Sequence, residues 1–410
     1  MIGSNRKANQ MTVEGESVPD PAGDTDLARR FAWTASAMPV NDLASIVTAA
    51  GTTMSADSAR LLVADYAMLT FHELGVANPG CASTPIAGTI PGRAFTNGEV
   101  VVSGADPTTV WVPLTQDSER VGVVQMEFTS WDAEMLPALE ATVQMLALVV
   151  LSKRRYTDLL LRSRRHEPLS VAAEIQWDLL PPLSCVTDEV SICGMLEPAY
   201  SIGGDSFDFA LNAGHAEFAI VDAVGRGMPA VLKSVLAVNS LRNARREGRP
   251  LETAYTTTGE VLASQYNDSS FVTGQLGDLD LATGQLTWLN AGHPLPLLVR
   301  DGSFVGELQC RPSLPMGLGG DVREVATEDL QRGDRVLFYT DGVTDSRSAD
   351  GEEFGLARLA DYLVRATLDR VHPTETVRHL SASIVNYNGI GLSDDATLLL
   401  VEYSGRVSRP

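Results

Sequence analysis

The spacing of apolar positions changes several times along this chain, and each change predicts a different element. From Asp26 to about Phe71 the chain is alanine-rich with helical spacing, which predicts helix. Val100-Val101-Val102, Val110-Trp111-Val112 and the run Val121 to Phe128 then read as strands, with turns at Gly92, Asn97-Gly98 and Asp117-Ser118. Helix, strands and a further helix over residues 25–150 predict one α+β domain. In that last helix Leu136, Leu139, Val143, Leu146 and Val150 step by three and four, a heptad stripe about two heptads long. It fits either packing on its own domain or a dimer seam that carries a signal between domains. The basic residues that follow, Lys153-Arg154-Arg155 with Arg162, Arg164 and Arg165, read as a solvated face. Pro168 interrupts the helix, and a second runs from about Leu169 to Leu180 with Val171, Ala172, Ile175 and Leu179 on one face, until Pro181-Pro182 stops it. Residues 151–182 therefore form a helical linker. Residues 1–24, rich in small and polar residues, read as a disordered lead.

Beyond residue 182 the pattern is strand-rich. Strands are predicted at Val190–Met195, Glu217–Val221, Leu286–Leu289, Pro296–Val299, Arg335–Tyr339 and Ala396–Tyr403. Helices are predicted at Met228–Arg245, Leu251–Tyr266, Leu356–Leu368 and Glu375–Tyr387. Strands grouped with long helices, without βαβ alternation, imply antiparallel sheets covered by helices over residues 183–405.

Composition narrows the function classes. With 44% hydrophobic and 20% charged residues, the 410-residue chain is that of a soluble globular protein with more than one domain. A net charge of −21 disfavours nucleic acid and anionic membranes as partners and suits divalent cations. Four cysteines without paired spacing, no apolar core after Arg6 and Lys7, and a longest apolar run of Met145 to Leu151 lead to the expectation of a cytoplasmic protein with reduced thiols and no membrane span.

Four acidic motifs carry the chemistry: Gly203-Gly204-Asp205, Val221-Asp222-Ala223, Thr340-Asp341-Gly342 and Ser393-Asp394-Asp395. Asp222 and Asp341 each end an apolar strand, and Asp394-Asp395 precede one. Antiparallel pairing would place them at one edge of one sheet. Any single Asp beside Gly is an ordinary turn, and Asp208, Asp334 and Asp345 are read as turn or supporting residues. Four such sites together predict a shared centre, because gathered carboxylates repel unless a cation holds them. Oxygen donors favour Mg²⁺ or Mn²⁺ over Zn²⁺. Two such ions about 3.5–4 Å apart activate water for attack on phosphorus. No Cys-x5-Arg loop, Gly-x-Ser-x-Gly elbow or Walker loop offers another route, so a hydrolytic phosphatase is the economical reading.

The stretch Pro198 to Asp208, with Asn290-Ala291-Gly292-His293-Pro294, Tyr339 to Asp345 and Asp394-Asp395-Ala396-Thr397-Leu398-Leu399, resembles the ordered motifs of the SpoIIE/RsbU-type bacterial serine phosphatases of the PP2C-like, metal-dependent superfamily. Glu174 to Pro181 resembles the helix that precedes this domain, so the resemblance covers about residues 170–404. It implies an αββα sandwich and a centre of two Mn²⁺ or Mg²⁺ ions. By motif the ligands are Asp205, Asp222, Asp341 and Asp394, with the Ala223 carbonyl and with Asp395 as the alternative to Asp394. His293 lies in a family motif with a structural role as its simpler reading. Where eukaryotic relatives have Asp-Gly-His, this chain has Asp222-Ala223-Val224, and their phosphate-binding arginine has no evident match. Residues 25–150 resemble a GAF sensor domain through Gly92-Arg93-Ala94-Phe95, Val110 to Leu114 and Arg120 to Val124. The resemblances together imply a sensor phosphatase, with a small-molecule ligand possible at the GAF-like domain, and the stripe read as a dimer seam adds a homodimer. Its substrate would be phosphoserine or phosphothreonine on a STAS-type anti-sigma-factor antagonist. The alternatives are a catalytically inactive binding module and a phosphatase of small metabolites.

Overall fold

Antiparallel pairing organises both halves of the chain. A computed structural model describes residues 21–75, 83–104, 106–200, 203–266, 270–388, 392 and 394–405. The expected disordered lead up to residue 20, together with Cys81, Ser201, Ile202 and Ser393, lies outside the described residues.

The N-terminal domain opens with helices α1 (Pro21–Ala37) and α2 (Leu43–Thr53), so α1 begins before the expected end of the lead. Strands β1 (Ser58–Ala64), β2 (Thr70–Glu73) and β3 (Thr84–Pro85) follow, then α3 (Ile90–Asn97), β4 (Val101–Ser103), β5 (Thr108–Gln116), β6 (Glu119–Phe128) and α4 (Leu136–Lys153). The sheet order is β3-β2-β1-β6-β5-β4. The helix expected as far as Phe71 is corrected here, since β1 and the start of β2 fall inside it. Leu61, Leu62, Val63 and Ala64 are all buried, so β1 lacks the alternation that marks a one-sided strand. Gly92, expected in a turn, lies inside α3.

Helices α1, α2 and α4 cover one face of this sheet. The heptad stripe is consumed there: Leu139, Val143, Leu146 and Val150 are buried in one cluster with Phe31, Ile46 and Val124. Of the two readings of the stripe, the structure shows packing on its own domain. The helical stretch Ala133–Tyr156 is long and apolar enough by length and composition to cross a bilayer, unlike the short run Met145 to Leu151. Much of its apolar surface faces this core.

The linker has two short helices, α5 (Leu159–Ser163) and α6 (Val171–Leu179). Its basic residues are not simply solvated. Lys153 is buried and its Nζ donates to the Met38 carbonyl at 2.8 Å, and Arg154 pairs with Glu119 at 3.0 Å. On α6, Val171 is exposed while Ala172, Ala173, Gln176 and Leu179 are buried, so the inward face is shifted from the expected one and includes a polar residue.

The C-terminal domain contains β7 (Ser184–Val186), β8 (Val190–Glu197), β9 (Asp205–Asn212), β10 (His215–Ala223), α7 (Met228–Arg246), α8 (Leu251–Gln265) and β11 (Val272–Asp280). It continues through β12 (Gln285–Ala291), β13 (Leu297–Arg300), β14 (Ser303–Glu307), β15 (Ala326–Asp329) and β16 (Arg335–Tyr339). Helices α9 (Asp341–Thr344), α10 (Gly355–Leu368) and α11 (Pro373–Asn388) lead to β17 (Ala396–Tyr403). One sheet has the order β15-β12-β11-β10-β9, the other β14-β13-β16-β17-β8-β7. Their inner faces meet through Phe207, Phe218, Trp288, Phe338 and Leu399. Helices α7 and α8 cover the first sheet, and α10 and α11 cover the second. This is the expected αββα sandwich.

The stripe on α4 gives a direct test. Leu146→Ala should lower the unfolding free energy by about 2–5 kcal/mol in a denaturant titration, with no change of mass in light scattering. Unchanged stability with a halved mass would instead make the stripe a dimer seam.

Candidate metal centre

The acidic motifs come from four chain segments that end at one place. Asp205 begins β9 and stands directly opposite Asp222 on β10. Asp341 follows β16, and Asp394-Asp395 precede β17, the antiparallel partner of β16. The expectation of a single sheet edge is thereby corrected. Asp205 and Asp222 belong to the five-stranded sheet, Asp341 and Asp395 to the ends of the six-stranded one. The centre spans the gap between the two sheets at one end of the sandwich.

Asp205 is the buried hinge of this arrangement. Its Oδ2 accepts from Thr340 Oγ1 at 2.6 Å and from Thr397 Oγ1 at 2.7 Å, both on the opposite sheet. Thr340 Oγ1 in turn accepts from the Thr397 N–H at 2.9 Å. Asp395 clamps the loop before β9: its carboxylate accepts from the Gly203 N–H at 2.8 Å and from the Asp205 N–H at 3.3 Å. Both glycines are required by close approach. A Cβ on Gly203 would sit 2.7 Å from Asp395 Oδ2, and one on Gly204 would sit 2.3 Å from the Ala223 carbonyl oxygen.

The electrostatics are those of crowded anions. Burial, then Asp222 and Asp395, push the Asp205 carboxyl well above the ordinary range. Burial followed by Asp341 and Asp394 raises Asp222 to about 6, although a hydrogen bond with Asp205 opposes this. Burial also raises Asp395 to about 6. Asp341 is raised by desolvation, Asp345 and Asp394. Asp394 is exposed, accepts from the Asp395 N–H, and lies 3.7 Å from the Arg226 guanidinium. Among the described residues no group of three acidic, histidine or cysteine side chains is arranged to hold one ion as it stands. The donor set nevertheless fits a hard divalent cation. It is all oxygen, its members raise one another's pKa, and the glycine pair leaves room at the Ala223 carbonyl.

The remaining candidates have structural partners. Asp208 is buried between Arg242 and Arg245 at 2.7 and 2.8 Å. Asp334 pairs with Arg300 at 2.6 Å, and Asp345 stands at the C-cap of α9, its backbone N–H on the Asp341 carbonyl and its carboxylate among the charges that raise Asp341. His293 is buried. Asn290 brackets its backbone on both sides, its Nδ1 is 3.1 Å from Thr273 Oγ1, and burial depresses it to about 3. It is neutral at physiological pH.

Four residues that support the centre were not singled out from the sequence. Thr340 and Thr397 are two, and both lie inside the quoted motifs. Gln176 on α6 donates its side-chain N–H to the Asp205 carbonyl, and Ser234 on α7 donates to the Gly204 carbonyl. A buried amide on an otherwise apolar helix face was the available signal for Gln176.

An αββα sandwich with carboxylates gathered at one end of its paired sheets is the arrangement that the motif resemblance implies. Residues 212–404 match the Stage II sporulation protein E (SpoIIE) family. The match begins after Asp205 and contains Asp222, Asp341, Asp394 and Asp395. Similar proteins include the phosphoserine phosphatase RsbU of Bacillus subtilis, 23% identical over 238 residues that span 57% of this chain and 69% of RsbU. Protein IcfG of Synechocystis is 26% identical over 267 residues, spanning 57% of this chain and 41% of IcfG. Among solved structures, the SiaA-PP2C domain of Pseudomonas aeruginosa aligns with a TM-score of 0.48 at 24% identity, covering 57% of this chain and 94% of that one.

The acid at the end of β8 provides a test away from the aspartates. Glu197 is buried, hydrogen-bonded to Ser381 Oγ at 3.0 Å and to the Ala199 N–H at 3.1 Å, and burial raises it to about 7. An acid with a raised folded-state pKa contributes stability below its unfolded pKa, and that contribution is lost as pH rises through about 7. Glu197→Gln should therefore gain about 2–3 kcal/mol on the wild type between pH 5 and pH 8 in urea titrations. A constant difference between the two proteins across that range would contradict this.

Proposed function

We propose that this protein is a divalent-metal-dependent phosphatase that removes phosphate from serine or threonine of a regulatory protein. The observation that carries the reading is the convergence of Asp205, Asp222, Asp341 and Asp394 from four segments, across two sheets, on one end of the sandwich. Asp205, Asp222, Asp341, Asp394 and the Ala223 carbonyl would hold two Mn²⁺ or Mg²⁺ ions. Asp394 is preferred to Asp395 because the Asp395 carboxylate is already engaged by backbone N–H groups. When bound, such ions neutralise phosphoryl oxygens and lower the pKa of an attacking water.

The chain itself contributes position. Thr340 and Thr397 fix the Asp205 carboxylate, and the Gly203 N–H fixes Asp395, so both are oriented before any substrate arrives. His293 is buried, neutral and held by Thr273, so it supports the β12–β13 turn and does not donate a proton to the leaving group.

RsbU is named a phosphoserine phosphatase, which favours a phosphoprotein substrate over a metabolite. By the motif resemblance, that substrate is a phosphorylated STAS-type anti-sigma-factor antagonist. The N-terminal α+β domain is a GAF-like sensor, and its contacts with the linker and α11 are the route by which it regulates the centre.

Purified full-length protein with Mn²⁺ should hydrolyse p-nitrophenyl phosphate and dephosphorylate a phosphorylated STAS protein. Asp222→Ala and Asp341→Ala should each lower kcat by roughly 100-fold or more while leaving the circular dichroism spectrum unchanged. No turnover of either substrate at any Mn²⁺ concentration would favour an inactive binding module. Strong competition by a phosphorylated metabolite would redirect the substrate assignment.

A further inference from the structure

A cavity of about 380 Å³ lies where the N-terminal domain, the linker and the C-terminal domain meet. Tyr66, Met68 and Phe95 line it from the N-terminal domain, Leu160 and Trp177 from the linker, and Met195 from β8. Around this apolar body stand five arginines against three carboxylates, in a chain whose net charge is −21.

The ion pairs decide which charge is left over. Glu375 is shared by Arg120 and by Arg378, the latter at 2.7 Å, and Glu119 pairs with Arg154. Among the described residues Arg155 and Arg164 have no carboxylate within ion-pair distance; nor has the third carboxylate, Asp178, an arginine, and five arginines against three carboxylates leave an excess of two positive charges. The Arg164 guanidinium instead lies over the Tyr66 ring, 4.5 Å from its centroid, and Tyr66 in turn packs on Trp177 with ring centroids 4.6 Å apart. A guanidinium held on an aromatic face with its N–H edge unpaired is a ready partner for a carboxylate.

We propose that this cavity binds a small organic carboxylate with a flat apolar body. The body would pack among Tyr66, Trp177 and Met195, and the carboxylate would meet Arg164. The volume lies within the range of small-molecule sites. Because its walls come from three segments, an occupant favours the arrangement of sensor, linker and phosphatase domain seen here. The site does not depend on catalysis at the acidic centre, so its test reads binding alone.

Isothermal titration of the full-length protein with 2-naphthoate should give saturable binding at least tenfold tighter than with 2-naphthalenemethanol, which lacks the charge. A tenfold step corresponds to about 1.4 kcal/mol. Naphthoate should also raise the melting temperature. Arg164→Gln should weaken naphthoate at least tenfold, and Leu161→Trp, which fills the cavity without removing a charge, should abolish its binding. No binding up to about 1 mM, a Kd weaker than −4.1 kcal/mol represents, would overturn the proposal. Equal affinity for acid and alcohol would do the same, as would unchanged affinity in both variants.

Discussion

The structure depends on how it holds several carboxylates close together at the rim of two packed sheets. Asp205, Asp222 and Asp395 all have pKa values raised by burial, with neighbouring carboxylates adding to the shift. Such a cluster would splay apart if it stood on flexible loops. It is instead tied across the sheets by two threonine hydroxyls on Asp205 and by backbone N–H groups on Asp395. The strands supply rigid anchor points, and the paired glycines before β9 let the backbone come close enough for those bonds to form.

The same region is braced from outside the sheets. Gln176 reaches the Asp205 carbonyl from the linker and Ser234 reaches the Gly204 carbonyl from α7, so the backbone that carries the buried aspartate is held from two helices. The linker continues through Trp177, whose Nε1 donates to the Ala199 carbonyl at 2.8 Å, to the Tyr66 ring of the N-terminal domain. On the other side Arg120 of β6 meets Glu375 of α11 in a largely buried ion pair. Such a pair costs desolvation and is weak support for stability, but it joins the two domains directly.

Much of this was legible in the sequence. The strands Arg335–Tyr339 and Ala396–Tyr403 have the expected bounds, because each is an apolar run closed by an aspartate turn or a polar exit. The long helices of the C-terminal domain were legible because their apolar spacing is sustained. Strand β1 was hidden by burial on both faces, and β9 by its own chemistry: Asp205, Ser206 and Asp208 are polar yet buried, so its pattern is not that of a strand. The sequence also could not divide the aspartates between two sheets. Strand pairing joins residues far apart in the chain, as Thr397 joins Asp205, and spacing along one segment carries no record of it.

The carboxylate cluster should be strained without a cation and relaxed with one. The most direct measurement is the melting temperature at pH 8 of wild type and Asp222→Asn, each in EDTA and in excess Mn²⁺. With Asp222 raised to about 6, its ionised form destabilises the fold at that pH. Asp222→Asn should therefore melt higher than wild type in EDTA, while Mn²⁺ should raise the wild type strongly and the variant little. A variant that melts lower in EDTA, or a wild type indifferent to Mn²⁺, would mean that the cluster needs no cation to relieve it.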